Sequence, residues 1–486
     1  MVTNYLTGHS YQQKTGFYKG LRVTNLYSWG GLMKPFKFKW KNFRCFEDTD
    51  WIEIKPLTIF IGPNNSGKTS LILPFLLMKQ SIESLDLDTP LKIKGEYVDL
   101  GSFKQFVNNG DLKKKVEFNI RFIEADSEKK QQDKYFKEKP VELNLIFKGG
   151  TEKKQIRLDE FVLKNYLNED LLRIKLRRKL YEVLYYKFPL TEEIKNLFFH
   201  PKPNNFLFLP EPVISQLIEK GMMRDDKVFR ASFAKFIQTL SMTKEIWDTI
   251  ERIDIIGPSR ENPQRIYSLS GDRPRSVGPT GNYTSEILWL TKGTSFERRL
   301  TEKLDELFGI MIKVESMGRR ASWAIRYYIK EKKGRHWLDI ADVGFGFSQL
   351  LPIIIQGLYT QKNEIFISEQ PEIHLNPKLQ SLLGNFFVHI VKEEKKFVIL
   401  ETHSEHILLR IRRLIAEGAI DSSEIALYFV QRSEGISKII PMKILENGHI
   451  EDKEWPEEFF SDTIVESLNL ASAQREWYDK NVLDEK

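Results

Sequence analysis

The sequence predicts an α/β fold with a mixed or parallel sheet at its core. A continuous apolar run at residues 57–61 leads into a glycine-rich turn and then into a helical pattern that begins at Gly67. Two more apolar runs, 365–367 and 397–400, are short and bounded by polar turns, as strands covered on both faces should be. From residue 340 onward strand and helix patterns alternate, which favours parallel pairing.

The other elements follow in chain order. Residues 37–46 are aromatic and alternating, 51–55 alternate as well, and both are expected as strands. The helix from Gly67 to about residue 84 contains Pro74. An interior proline costs about 3 kcal/mol relative to alanine, so a kink or a late start is expected. Strands are expected at 116–123, 141–147 and 156–163, with a highly charged loop or hairpin tip at 125–139. The pattern over 165–253 is helical, interrupted by a turn-rich linker at Pro201, Pro203, Pro210 and Pro212. It sustains no heptad repeat of the kind a long coiled coil needs. Residues 254–283 carry Gly, Pro and Arg at high density, from Gly257-Pro258-Ser259-Arg260 to Arg273-Pro274-Arg275. They read as a long loop of the sort that is often functional. A helix at 295–309, strands at 311–316 and 322–329, and short strands at 425–430 and 437–444 complete the pattern. The expected division is an N-terminal lobe over 1–110, an insert of strands and helices over 111–253, a second lobe over 254–420 and a small α+β extension over 421–486.

Composition narrows the class. The chain has 486 residues, 41% hydrophobic and 29% charged, which suits a globular protein with a large core rather than a disordered one. The longest apolar run, near 350–359, falls short of the roughly 20 residues needed to cross a bilayer, and residues 1–19 lack the apolar stretch of a secretory signal. Cys45 is the single cysteine, so no intramolecular disulfide and no cysteine-based zinc site is possible. A reducing cytoplasmic setting is expected. The net charge of +7, from 74 basic and 67 acidic side chains, permits nucleic acid as a partner without demanding it.

Four constellations carry chemistry. Gly62-Pro63-Asn64-Asn65-Ser66-Gly67-Lys68-Thr69 matches the full P-loop pattern, with a strand before it and a helix after it, and Ser70 is counted with these residues as nucleotide-binding. Glycines let the backbone curl so that successive N–H groups face phosphates, Lys68 reaches the β- and γ-phosphates, and the Thr69 hydroxyl serves Mg²⁺. ATP with Mg²⁺ is the implied ligand. Next, the apolar strand ending at Ser368-Glu369-Gln370-Pro371-Glu372 supplies Glu369 as the metal-organising acid. Gln370 follows, where a glutamate would activate water. An amide orients water without taking its proton, and general-base help is worth about 10²–10⁴-fold. Slow hydrolysis is expected unless Glu369 or Glu372 takes that part. Third, Val343-Gly344-Phe345-Gly346-Phe347-Ser348-Gln349 precedes an apolar helix and reads either as an anion-binding helix end or as a helix-entry turn with a serine cap. Fourth, Glu401-Thr402-His403-Ser404 follows a strand, and a histidine there reads either as a phosphate sensor or as an ordinary loop residue.

In this order the four pieces resemble the ABC/SMC-type P-loop ATPase head, with the most specific matches over 37–82 and 340–412. The resemblance implies further roles. Lys41-Asn42-Phe43-Arg44 is similar to the opening strand of SMC and OLD-type heads, which places Arg44 near nucleotide phosphate. Gly346 and Ser348 stand in the signature motif, which meets the γ-phosphate held by a partner subunit, and His403 matches the switch histidine. Homodimers or higher oligomers with composite ATP sites are therefore implied. The chain also looks like a bacterial group of ATPases that recurs in anti-phage systems. It has no long coiled coil, and its tail lacks the Asp-x-Asp of the Toprim nuclease that OLD-type proteins carry. A separate effector such as a nuclease is then expected, with DNA a possible partner. The competing readings are a DNA-maintenance ATPase and an ATP-binding module with little hydrolysis.

Overall fold

The computed structural model describes residues 35–84, 86, 89–123, 139–151, 154–177, 180–187, 239, 242–317, 324–451, 470 and 472–475. The expectations for the charged tip at 125–138, the proline-rich linker at 201–212 and the acidic, Trp-Pro-containing end at 452–469 lie outside these residues.

The chain opens with three strands, β1 (Phe36–Phe43), β2 (Phe46–Asp48) and β3 (Ile52–Ile54). They join β5 (Val116–Phe122), β6 (Pro140–Thr151), β7 (Lys154–Asn165), β8 (Asp170–Arg177) and β9 (Leu180–Tyr186) in an antiparallel sheet ordered β2-β1-β5-β6-β7-β8-β9, with β3 also on β1. The helical expectation over 165–253 is corrected at β8 and β9. Leu172 and Ile174 are buried while Arg173 and Lys175 reach Glu160 across the sheet at 2.7 Å each. The period of two is plain once β7 is alongside, but in the sequence it is masked by the density of charge. Residues 242–250 are helical as expected.

A second sheet is ordered β10-β15-β16-β4-β17-β18. Its members are β4 (Leu57–Ile61), β10 (Ile253–Ile256), β15 (Ile365–Glu369), β16 (Phe397–Glu401), β17 (Ile425–Ser433) and β18 (Ile436–Met442). All pairs are parallel except the β17–β18 hairpin. The predicted mixed α/β core is therefore present. A smaller sheet holds β11 (Tyr267–Ser268), β12 (Ile310–Met317), β13 (Ala324–Glu331) and β14 (Leu338–Asp339). Apolar side chains of the parallel sheet share one buried cluster with α2 (Thr284–Leu290), α3 (Ser295–Lys303), α4 (Phe345–Tyr359), α5 (Pro377–Lys392) and α6 (Glu405–Ala416).

The first helix, α1 (Lys68–Ile82), starts directly after the glycine-rich turn and runs through Pro74, so the late start is corrected. Every residue from Ser70 to Ser81 is buried. The Phe75 ring meets Phe36, Phe38 and Trp40 edge-on at 5.1–6.0 Å, and Trp40 Nε1 donates to Leu71 O at 2.9 Å. Each fully buried large apolar side chain contributes about 1.5–3 kcal/mol, which offsets the proline.

Behind the parallel sheet lies a polar chain. Thr360 Oγ1 donates to Asp254 Oδ2 at 2.8 Å, Gln356 Nε2 donates to Thr360 Oγ1 at 2.9 Å, and Val277 N donates to Gln356 Oε1 at 2.7 Å. It ties β10, the end of α4 and the 254–283 segment together. Burial pushes Asp254 up to about 6, against the pull of the Thr360 hydrogen bond and the charges of Lys79 and Arg275. The folded chain thus holds this proton to higher pH than the unfolded chain. The associated stability is full below pH 3.8 and is lost as pH rises through about 6. Asp254→Asn keeps the acceptor for Thr360 and removes the buried charge. It should raise Tm by a few degrees at pH 8 and leave it unchanged at pH 4, as read by thermal unfolding at the two pH values.

Candidate functional site

The glycine-rich turn leaves β4 at Gly62. Gly62 has φ +146°, and a Cβ there would lie 2.1 Å from Val430 O on the neighbouring β17, so no other residue fits. Gly67 has φ +108°, and a Cβ would lie 2.5 Å from Cys45 Sγ and 3.0 Å from Ser437 Oγ. Asn65 between them is also left-handed at φ +61°. The turn is braced from outside, since Ser437 Oγ on β18 donates to Ser66 O at 2.6 Å. Pro63, Asn64 and Asn65 are exposed, whereas Ser66 is buried and its hydroxyl has no partner among the described residues.

Lys68, the first residue of α1, folds back over the turn. Its Nζ donates to Gly62 O at 2.9 Å and Pro63 O at 2.7 Å. Burial lowers its pKa to about 8, although the charges of Glu401 and Glu372 pull the other way. The ammonium closes its own cradle. Ser70, next but one along the helix, is buried and donates its N–H to Gly67 O at 2.9 Å.

The strand ends beside the turn carry the acids. In the parallel register Glu369 of β15 pairs with Glu401 of β16, and Glu401 pairs with Phe60 of β4. Both carboxylates are buried, at 7% and 2% exposure. Thr69 Oγ1 donates to Glu401 Oε1 at 2.8 Å. Burial, reinforced by the Glu401 charge, pushes Glu369 up to about 8. Burial raises Glu401 too, while Thr69, Lys68 and the Gln370 amide pull it back down. Glu401 Oε2 is buried with no hydrogen bond of normal geometry among the described residues. Two carboxylates and a hydroxyl form an oxygen-only donor set, which fits a hard divalent cation such as Mg²⁺.

Gln370 turns the chain at φ +43°, a costly conformation for this residue type, and is held there from two sides. Its N–H donates to Glu401 O at 2.7 Å, and Arg260 Nη2 donates to the carbonyls of Glu369 and Gln370 at 3.3 and 3.1 Å. Glu372 acts as a clasp. Its Oε2 accepts from Thr402 Oγ1 at 2.8 Å and its Oε1 from His403 N at 2.6 Å. Burial and the Lys68 charge lower His403 to about 4, so its imidazole is neutral at physiological pH.

The structure brings Lys68, Thr69, Glu369, Gln370 and His403 to one end of the parallel sheet. Gly346 and Ser348 stand apart in their contacts. Both lie inside the first turn of α4, where Ser348 Oγ donates to Phe345 O at 2.7 Å and a Cβ on Gly346 would lie 2.9 Å from His374 O. The serine does not cap the helix. Arg44 is exposed in the turn between β1 and β2 at φ +51°, next to the Cys45 that abuts Gly67. Sequence reasoning missed Glu401 and the seat of Arg260. Glu401 carries the same signal as Glu369, an acid closing an apolar strand, and the same rule applied to 397–401 finds it. The Arg260 contacts span 109 and 110 residues of chain and have no local signature.

The model of the AAA ATPase domain family matches residues 33–272 and 281–408, and that of a protein family of unknown function (DUF3696) matches residues 420–466. No curated protein matches. Among solved structures the chain is similar to the Smc head domain with an extended coiled coil bound to the C-terminal domain of ScpA, from Pyrococcus furiosus. The identity is 12%, the match covers 84% of this chain and 96% of that one, and the TM-score is 0.39. It is also similar to the SMC head domain from Thermotoga maritima, at 10% identity, over 84% and 99% of the two chains, with a TM-score of 0.35.

Two outcomes follow from this geometry. Gly62→Ala drives a methyl group into the Val430 carbonyl and should cost more than about 2 kcal/mol, seen as a lower denaturant midpoint. His403 binds its proton near pH 4 in the folded chain and near 6.5 in the unfolded chain, so stability falls as pH drops through that window. His403→Gln should flatten the pH 4–6.5 part of the stability curve.

Proposed function

The chain belongs to the AAA ATPase domain family, and from that premise we propose that it is a slow, Mg²⁺-dependent ATP hydrolase that works as an ATP-controlled switch. One observation carries the reading. Lys68, Thr69, Glu369 and the strand end bearing His403 converge on a turn whose glycines cannot be replaced without collision. Backbone amides of the turn and the start of α1 would hold the β- and γ-phosphates, with Lys68 exchanging its two carbonyl partners for phosphate oxygens. Thr69 and Glu369 would hold Mg²⁺, which supplies neutralisation of the triphosphate charge. The neutral His403 would donate a hydrogen bond to the γ-phosphate.

Slow turnover follows from what each acid already does. Gln370 can orient water and cannot take its proton. Glu372 has both oxygens engaged by Thr402 and His403, so it positions the switch loop. The composite-site part of the proposal rests on α4. Gly344 and Phe345 at its start are exposed, Phe345 at 41%, so this end of the helix can meet a second copy of the chain, while Ser348 is buried and would have to give up its bond to Phe345 O to reach a nucleotide held there. ATP would then close a homodimer or higher oligomer, with the lobes divided near residues 110, 253 and 420. Regulation of a separate effector such as a nuclease in anti-phage defence, with DNA as a possible further partner, rests on the family resemblance alone.

Lys68→Ala should abolish ATP binding by calorimetry, and sedimentation should show the wild type, unlike this variant, self-associating with Mg-ATP. Gln370→Glu should raise single-turnover phosphate release by about 10²–10⁴-fold. An unchanged rate would remove the missing base as the cause of slow turnover.

A further inference from the structure

We propose that Glu401 is the second carboxylate of a divalent-cation site that exists in the folded chain before nucleotide arrives. The proposal rests on the reading above in one respect, that Thr69 and Glu369 face a cation.

The geometry puts Glu401 closer to the heart of that site than the sequence suggested. Glu369 and Glu401 are register partners on adjacent parallel strands, which run about 4.8 Å apart with paired side chains on the same face. Thr69 gives its hydroxyl hydrogen to Glu401, so the threonine is oriented from β16. Glu401 Oε2 is buried and has no hydrogen bond of normal geometry among the described residues, since the Gln370 amide acts on the carboxylate without closing one, and a buried carboxylate oxygen left so is strongly unfavourable.

The side-chain cations nearby do not satisfy it. Lys68 Nζ is bound to two carbonyls of the turn, and Arg260 Nη2 to two carbonyls of the β15 end, while the Arg260 Nε and Nη1 groups are buried without a partner among the described residues and so give Glu401 no hydrogen bond. A small ion that accepts only oxygen donors would satisfy what these two side chains do not. The strand end is also fixed in advance. Gln370 N–H holds Glu401 O, and Glu372 holds Thr402 and His403 just beyond it.

No group of three or more His, Cys, Asp or Glu that could hold a metal occurs among the described residues. The ion would therefore keep several waters, which triphosphate oxygens later replace. A cation held this way lowers the negative charge of the pocket before a highly charged triphosphate enters it. The order of binding is then cation first and nucleotide second.

The test uses the full chain with Mn²⁺ as the probe and no nucleotide, following loss of the free-ion signal by electron paramagnetic resonance. One Mn²⁺ per chain should bind and be displaced by Mg²⁺. Glu401→Gln keeps the size of the side chain and an acceptor for Thr69, and should weaken binding at least tenfold. Asp421→Asn, a remote acid, should leave binding unchanged, and circular dichroism should show both variants folded. Lys68→Ala should lose ATP while retaining Mn²⁺, which separates this proposal from the ATPase reading. Wild-type protein that binds ATP but takes up no Mn²⁺ alone would overturn the proposal and spare that reading. Folded Glu401→Gln protein that binds Mn²⁺ as tightly as wild type would overturn it equally.

Discussion

Parallel pairing of β15, β16 and β4 is the constraint from which the site follows. Hydrogen bonding between backbones fixes Glu369 opposite Glu401 and Glu401 opposite Phe60, two residues short of the glycine-rich turn. Side chains more than 300 positions apart in sequence are thereby set one strand spacing from each other. Ligands of open α/β sheets gather where the strands end, because loops there are free to diverge while the strands behind them are not. Here the rigidity comes from apolar side chains that bury both faces of the sheet, and the polarity is confined to the last residue or two of each strand.

Confinement has an electrostatic consequence. A lysine, two strand-end glutamates, a clasping glutamate, a histidine and an arginine share a space largely withdrawn from water, and burial is the leading cause of the shift at each of them. Burial destabilises the charged form of every one, so each perturbs the others more strongly than it would at the surface. Any charge brought to these strand ends would therefore act on all of them at once.

Much of this was readable in the chain. The glycine-rich turn was, because its residue types are dictated by local backbone geometry, and positive φ at Gly62, Asn65 and Gly67 is what the pattern implies. The strands of the parallel sheet were, because burial on both faces leaves an unbroken apolar run. β8 and β9 were not, because Arg173 and Lys175 alternate with apolar residues at a spacing that charge density hides until Glu160 is placed across the sheet. Glu401 is legible in principle, as an acid closing an apolar strand, but stands two residues before His403, which carries the more familiar chemistry. Arg260 was illegible, since a loop arginine gives no local sign that it will be buried beneath a turn more than a hundred residues downstream. Pro74 does not delay the start of α1, because tertiary packing outweighs the local penalty there.

The hairpin of β17 and β18 changes how the chain can be divided. The ATPase family match stops at residue 408, yet Val430 O presses on Gly62 and Ser437 grips the carbonyl of Ser66. The stretch at 420–466 that matches a family without assigned function begins with the scaffold under the phosphate loop. A fragment trimmed to the matched region would keep every motif and lose the wall they lean on, so the two families meet in this chain as parts of one machine.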